Sequence, residues 1–350
     1  MKNTLASIGI ILSFSFIANG QVSKDFVQDS TISFVSKPSG FKMAGTFSYP
    51  AGKRKYPAVI LIWGTGPHTR DQKISGFPMF KIIADHLNKM GFAVLRIDKR
   101  GFGKSEGADT ESEQKTTSGE LSDDIYSALQ FLKKQPQVDT SKIGLIGHSE
   151  GAWIAEMVAL KDNSVKWLGL LGAPVINGGE IQTDQLCNNL TKRGADKEVV
   201  DKVRVQIQRY VEFIQKGYKN DSTYYEIGKD FLLAHGMDEE KITHKLIDQL
   251  LDGFKTPWYQ YFFSGTPSLS MRKIKVPMYF AYGGEDENVS LSKNIPELLD
   301  VMQQSQYKNI SLTVLPGLDH FFEVKKEGKW TLSDDLLSTI SLWLKEPKTQ

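Results

Sequence analysis

Short apolar runs and amphipathic stretches alternate along most of the chain. Residues 30–36 and 42–49 mix polar with β-branched and aromatic residues in alternation, which predicts a hairpin-like pair of strands. Residues 56–63 (YPAVILIW), 92–98 (FAVLRID), 143–147 and 165–172 (VKWLGLLG) are short and apolar, as expected of strands buried on both faces. Helical patterns lie between them. One covers 78–90, with Pro78 at its start and Gly91 at its end. Another covers 120–134, with Leu121, Ile125, Leu129 and Leu132 on one face, and a third covers 152–160. This order predicts an α/β protein with a mostly parallel central sheet and helices on both faces.

The alternation stops near Pro174. From there to Arg272 only helical patterns are visible, the clearest at 196–215 and 238–251. Strand–helix order then resumes with a strand at 276–282, a helix around 296–304, a strand at 311–315 and a helix at 334–345. The expected organisation is one core, 21–173 and 273–350, interrupted by a helical lid or cap at 174–272. Such an insertion would lie over the C-terminal edge of the sheet, where open α/β sheets bind ligands. Residues 1–20 read as a signal peptide, with Lys2, an apolar run from Leu5 to Ala18, and Ala18-Asn19-Gly20 before Gln21. The run is short for a membrane span. The expectation is an exported protein, periplasmic or secreted, without stable membrane insertion once the signal is removed.

Composition narrows the function classes. Lys and Arg number 43 against 41 Asp and Glu, a net charge of +2, which argues against nucleic acid as the main partner. The single Cys187 excludes an internal disulfide and any Cys-cluster metal site. Asp286-x-Asn288-x-Ser290 lacks the glycine of a calcium loop. A phosphate-binding loop would need glycine at Asp98, and a dinucleotide fingerprint would need it at Glu106. No metal and no cofactor is expected.

The pattern G-x-S-x-G occurs twice, around Ser105 and around Ser149. The chemistry needs a serine on a tight strand-to-helix turn, where glycines relieve crowding and the hydroxyl stands clear. Ser105 sits in a polar stretch with no helical pattern immediately after it. Ser149 follows the strand IGLI and precedes the helix AWIAEMVAL, so Ser149 is the candidate nucleophile. In an α/β-hydrolase core the acid and then the histidine follow the serine along the chain. His68 and His86 precede it, His148 adjoins it and is expected to point elsewhere, and His235 and His244 fall in the insertion. His320, just past the strand at 311–315, is the remaining candidate base. The acid should follow the strand at 276–282, where Glu285, Asp286 and Glu287 stand together; Asp286 is preferred. An oxyanion hole needs two backbone N–H groups. Glu150, next after the serine, supplies one, and the loop after residues 56–63 the other, from Thr65 first and Gly66 second.

These stretches resemble the α/β-hydrolase superfamily. The sequence is most similar to esterases described as dienelactone-hydrolase-like or serine-aminopeptidase-like. The resemblance rests on GTGPHTRD (64–71), GFAVLRIDKRGFGKSEG (91–107), KIGLIGHSEGAWIA (142–155), TPWYQYFF (256–263), GGEDENV (283–289) and LPGLDHFF (315–322). It implies triad roles for Ser149, Asp286 and His320, and a bracing role for Arg70 and Asp71 beneath the oxyanion loop. Trp63 stands where many such hydrolases have His, and Ala152 replaces a common third glycine. The expected activity is hydrolysis of small to medium carboxylic esters through an acyl-enzyme. A peptidase or acyltransferase of the same fold is the alternative. Between Val175 and Arg272 the insertion carries 13 basic and 14 acidic residues, no sign of a strongly charged substrate. Its aromatic run supplies Trp258, Tyr261 and Phe262 as candidate walls for the substrate.

Overall fold

The computed structural model describes residues 27–107, 115–217, 222–305 and 309–346; the signal segment expected at 1–20 lies outside these. Eight strands form one sheet in the order β1 (Val27–Val35), β2 (Lys42–Pro50), β6 (Ala93–Ile97), β3 (Tyr56–Ile62), β7 (Val138–His148), β8 (Val165–Leu171), β9 (Met278–Gly283) and β10 (Ile310–Leu315). β1, β2 and β6 pair antiparallel, and every pairing from β6 to β10 is parallel. All residues of β6 and β9 are buried, as expected of apolar strands covered on both faces, with Arg96 the one charged residue of β6. Two small pairs complete the strands. β4 (Lys73–Ile74) pairs with β5 (Phe77–Pro78), and β11 (Glu323–Lys326) pairs with β12 (Lys329–Leu332).

Helices cover the sheet. α1 (Met79–Lys89) follows β5, α2 (Ser118–Leu132) precedes β7, and α3 (Glu150–Lys161) joins β7 to β8. Thr117 starts α2 with a reciprocal cap: its hydroxyl accepts from the Glu120 amide, and the Glu120 carboxylate accepts from the Thr117 amide. α10 (Leu291–Gln304) and α11 (Asp334–Lys345) follow β9 and β12.

Between β8 and β9 the described residues form six α-helices, α4 (Gly178–Lys192), α5 (Lys197–Gln215), α6 (Ser222–Ala234), α7 (His244–Leu251), α8 (Pro257–Ser264) and α9 (Pro267–Met271). They bury a face of their own, including Val203, Ile207, Tyr224, Ile227 and Phe263. The helix expected over 238–251 is shorter than its pattern. A 3-10 turn at Glu239–Lys241 is followed by a break at Thr243, whose hydroxyl caps α7 by accepting from the Leu246 amide. No helix among the described residues is long and apolar enough to cross a membrane.

The parallel strands all end on one side. The loops after β3, β7, β9 and β10 therefore converge at that edge, with the six-helix insertion rising from the end of β8.

Candidate active site

Ser149 occupies the turn between β7 and α3 with φ 55° and ψ −126°, a conformation that L residues rarely adopt. Neighbouring glycines make the turn possible. A Cβ on Gly147 would run into the Gly151 carbonyl, and one on Gly151 into the Ile62 carbonyl. The turn is pinned by the Ser149 amide donating to Leu171 O at 2.8 Å and the Ala152 amide donating to Ser149 O at 2.9 Å. The Ser149 side chain is partly exposed and lines a cavity of about 390 Å³.

His320 lines the same cavity from the loop after β10. Its Nδ1 lies 2.8 Å from Asp286 Oδ2, and both residues are buried. The other oxygen, Asp286 Oδ1, accepts from the amides of Asn288 at 2.9 Å and Val289 at 2.7 Å. These bonds fix the carboxylate behind the imidazole, away from the cavity. The neighbouring Glu285 and Glu287 are exposed, and Glu287 pairs with Lys192 of α4.

Thr65 and Gly66 line the cavity opposite, on the loop after β3. Lys99 holds that loop from below: its Nζ donates to Gly64 O at 3.3 Å and Gly66 O at 3.1 Å, and sits 5.3 Å from the Trp63 ring centre. The Gly64 amide is taken by Gln72 Oε1 at 3.0 Å. The amides of Thr65 and Gly66 bond to no described residue, which leaves them available. The Glu150 amide, at the start of α3, is one of the donors a helix leaves without an internal partner. Arg70 and Asp71, on the same loop, are tied to the core strand β6 and the loop that follows it. Arg70 grips Asp98 through Nη2 at 2.6 Å and Nε at 3.0 Å, and Asp71 pairs with Arg96. Burial raises the Asp98 carboxyl, and its bonds to Arg70 and to the Lys104 amide more than offset this, holding it below the ordinary range.

Several contacts of the site were invisible in the sequence. The buried Glu150 carboxylate accepts from Ser118 Oγ at 2.6 Å, Trp258 Nε1 at 2.7 Å and Thr65 Oγ1 at 3.0 Å. His148, expected to point elsewhere, is part of the site. Its Nδ1 accepts from Gln72 Nε2 at 2.9 Å and its Nε2 donates to the carbonyl of His320 at 3.0 Å. Gln72 thus links the loop after β3 to the loop that carries His320. Burial pushes the His148 imidazole well down, with the nearby His320 adding to this, so it stays neutral and keeps one tautomer. His68, at the cavity wall, is lowered to about 4 by burial and by Lys99.

Of the three aromatic wall residues expected, Trp258 and Phe262 line the cavity and Tyr261 does not. Tyr261 is 37% exposed and rests on Trp153 and the Met157 sulfur. Its place on the wall belongs to Tyr259. The 3.6-residue period of α8 puts Tyr259 and Tyr261 on opposite flanks of the Trp258–Phe262 face, and the flank turned to the cavity is that of Tyr259. The second Gly-x-Ser-x-Gly serine, Ser105, is a loop brace: its hydroxyl donates to Asp98 O at 2.8 Å and accepts from the Ala44 amide at 3.0 Å.

Known proteins share this architecture. The chain is similar to Esterase EstD of Thermotoga maritima, with 24% identity over 291 residues, 83% of this chain and 60% of that one. It is also similar to the polyketide transferase claH of Penicillium crustosum, with 30% identity over 168 residues, 46% of this chain and 49% of that one. It therefore spans about half to three-fifths of these curated relatives. Among solved structures, the α/β hydrolase GrgF from Penicillium sp. sh18 aligns over 91% of this chain and 96% of its own, at 16% identity and a TM-score of 0.55. The esterase Pf2001 of Pyrococcus furiosus aligns over 91% of both, at 17% identity and a TM-score of 0.55. At these identities the structures speak for the fold. The family described as serine aminopeptidase, S33 (Hydrolase_4) matches residues 77–324, most of the sheet and the whole insertion. The chain is a member of that family and has the α/β-hydrolase fold.

Proposed function

We propose that the protein is a carboxylesterase-type serine hydrolase acting on esters with small to medium acyl groups. The observation that carries this is the 2.8 Å contact of His320 Nδ1 with the buried Asp286, on a histidine that shares its cavity with the elbow serine. In this reading Ser149 Oγ attacks the ester carbonyl while His320 Nε2 takes its proton. The carbonyl oxygen becomes an oxyanion facing the amides of Glu150 and Thr65, with Gly66 next to them. The C–O bond to the alcohol then breaks, and Nε2 returns the proton to the departing oxygen. Water attacks the acyl-enzyme by the same route and the acid leaves. Asp286 holds the imidazole tautomer and stabilises the imidazolium without becoming protonated.

The family's aminopeptidase description raises the alternative of a peptide substrate. An exopeptidase needs a group to hold a free amino terminus. Among the described residues lining the cavity the one carboxylate is Glu150, and its oxygens already accept from Ser118, Trp258 and Thr65. That favours esters. Export through the N-terminal signal belongs to the same reading. The test is a panel of nitrophenyl esters beside aminoacyl and peptidyl nitroanilides. Esters should lead in kcat/KM throughout, and a preference for an aminoacyl amide over every ester would overturn the proposal.

A further inference from the structure

The helical insertion encloses a second chamber, of about 180 Å³, between α4, α5, α6, α7 and α8. Its wall is almost wholly apolar, with Leu186, Ile207, Val211, Ile227 and Phe263 among the lining residues. No charged residue faces it among the described ones, and the Tyr210 hydroxyl is turned aside to donate to Leu251 O at 3.1 Å. Gln182 of α4 belongs to both this chamber and the reaction cavity. Phe262 and Phe263, adjacent on α8, face the two spaces in turn, Phe262 the cavity and Phe263 the chamber.

We propose that this chamber is the acyl subsite, with Gln182 as the movable partition between it and Ser149. The proposal deepens the esterase reading and rests on it. The Gln182 side chain bonds to no described residue, so rotating it breaks no hydrogen bond. Its neighbour one turn on, Gln185, is by contrast held by donating to Asn288 O at 3.0 Å. An unfilled apolar volume of this size weakens a core, and a dry cavity of about 150 Å³ lined by such residues takes a benzene-sized guest. At about 30 Å³ for each heavy-atom-sized group, the chamber holds roughly six carbons. The ligand class is an uncharged aliphatic or small aromatic acyl tail.

The geometry of the reaction cavity decides which half of the ester enters. The leaving alcohol must meet His320, whose side of the cavity is formed by Asn288, Val289 and Phe321. α8 meets the cavity beside Glu150, to which it is fastened through Trp258. A tail passing α8 is therefore the acyl tail, which stays on Ser149 through both halves of the reaction.

The test uses nitrophenyl esters of two to twelve acyl carbons, a matching series of alkyl acetates, and Ile207→Phe to fill the chamber. Wild type should peak at six to eight acyl carbons, at least tenfold above acetate in kcat/KM. Ile207→Phe should erase most of that gain, read as a collapse of the ratio of six-carbon to acetate kcat/KM. Gln182→Ala should widen the profile toward longer chains. Xenon pressurised into crystals of Ser149→Ala should occupy the chamber, and adding Ile207→Phe should remove it; this readout needs no turnover. If Ile207→Phe does not fold, Leu186→Phe replaces it. A chain-length profile identical in wild type and the filled variant overturns the proposal, as does a peak in the alcohol series instead. Xenon in the chamber of a protein that cleaves no ester would remove the esterase reading, and the acyl subsite with it, while the chamber itself stands.

Discussion

The indole N–H of Trp258 donates to Glu150 Oε1 at 2.7 Å, so the helical insertion is fastened to the residue that follows the elbow serine. The same carboxylate holds Thr65 of the oxyanion loop and Ser118 at the start of α2. Trp258→Phe keeps the stacking on Phe262, whose ring lies 4.8 Å away, and removes one donor from a buried charge. The expected loss is about 1.5–3 kcal/mol in denaturant unfolding. kcat should fall more than KM rises, because the oxyanion loop loosens. Trp258→Ala, which also empties the ring's volume, should cost about 3–5 kcal/mol.

Covalent labelling separates the two serines. Ser149→Ala should abolish reaction with a fluorophosphonate probe. Ser105→Ala should label normally and lose about 1 kcal/mol of stability, because two loop hydrogen bonds go with its hydroxyl. Labelling that persists in Ser149→Ala would sink the nucleophile assignment.

The acid is tested by its neighbours. Asp286→Asn should lower kcat by several orders of magnitude, since an amide favours the wrong imidazole tautomer. His320→Ala should do at least as much with the fold intact. Glu287→Gln should have little effect, because that side chain is exposed and its pairing with Lys192 is a surface one. The reverse ranking in single-turnover rates would move the acid to Glu287.

Gln72→Leu breaks two buried bonds at once, one to the Gly64 amide and one to His148. The oxyanion loop and the His320 loop should then shift together. kcat should fall by at least about tenfold, equivalent to roughly 1.4 kcal/mol of barrier, with KM nearly constant. A normal kcat in a folded Gln72→Leu protein would show that the link is not needed.

Glu156, in the middle of α3, is fully buried and neither carboxylate oxygen has a hydrogen-bond partner among the described residues. Burial therefore raises its carboxyl well above the usual range. A raised folded value means the group's contribution is intact below its unfolded value of 4.5 and is lost as pH climbs toward the folded one. Relative to wild type, Glu156→Gln should gain stability from pH 4.5 upward, by about 1.4 kcal/mol per pH unit until the folded group ionises. Urea titrations of both proteins at several pH values measure the slope, and parallel curves would refute it.

Much of the fold could be read from apolar runs because the parallel strands are buried on both faces. The α/β-hydrolase order of serine, acid and histidine, set against where the strands resume after the insertion, pointed to the loops that carry Asp286 and His320. What escaped were features set by tertiary contact. His148 is adjacent to Ser149 in the chain, yet its role comes from the carbonyl of His320, 172 positions away. Lys99 reads as one charge in a polar stretch, and only the fold puts its ammonium under Gly64 and Gly66. Some local signals were present and unread. Thr256 and Pro257 mark the start of α8, which fixes the faces of Trp258 and Tyr261, and Glu327-Gly328 has the positive φ values that close the β11–β12 hairpin.

The two ends of the insertion are stitched to each other at the rim of the sheet. Gly178 N donates to Gly265 O at 3.2 Å, Asn177 Nδ2 donates to Phe263 O and Gly265 O, each at 2.8 Å, and Ser268 N donates to Val175 O at 3.1 Å. Asn294 of α10 clamps the entry by accepting from the amides of Val175 and Ile176. The chain thus leaves and re-enters the core through one narrow neck, between neighbouring strands β8 and β9. The neck makes the insertion an exchangeable cassette: a different helical unit spliced at Asn177 and Gly265 would inherit an intact sheet, and would have to meet the core again at Glu150, at the Asn288 carbonyl now held by Gln185 and at Lys293 now paired with Asp184.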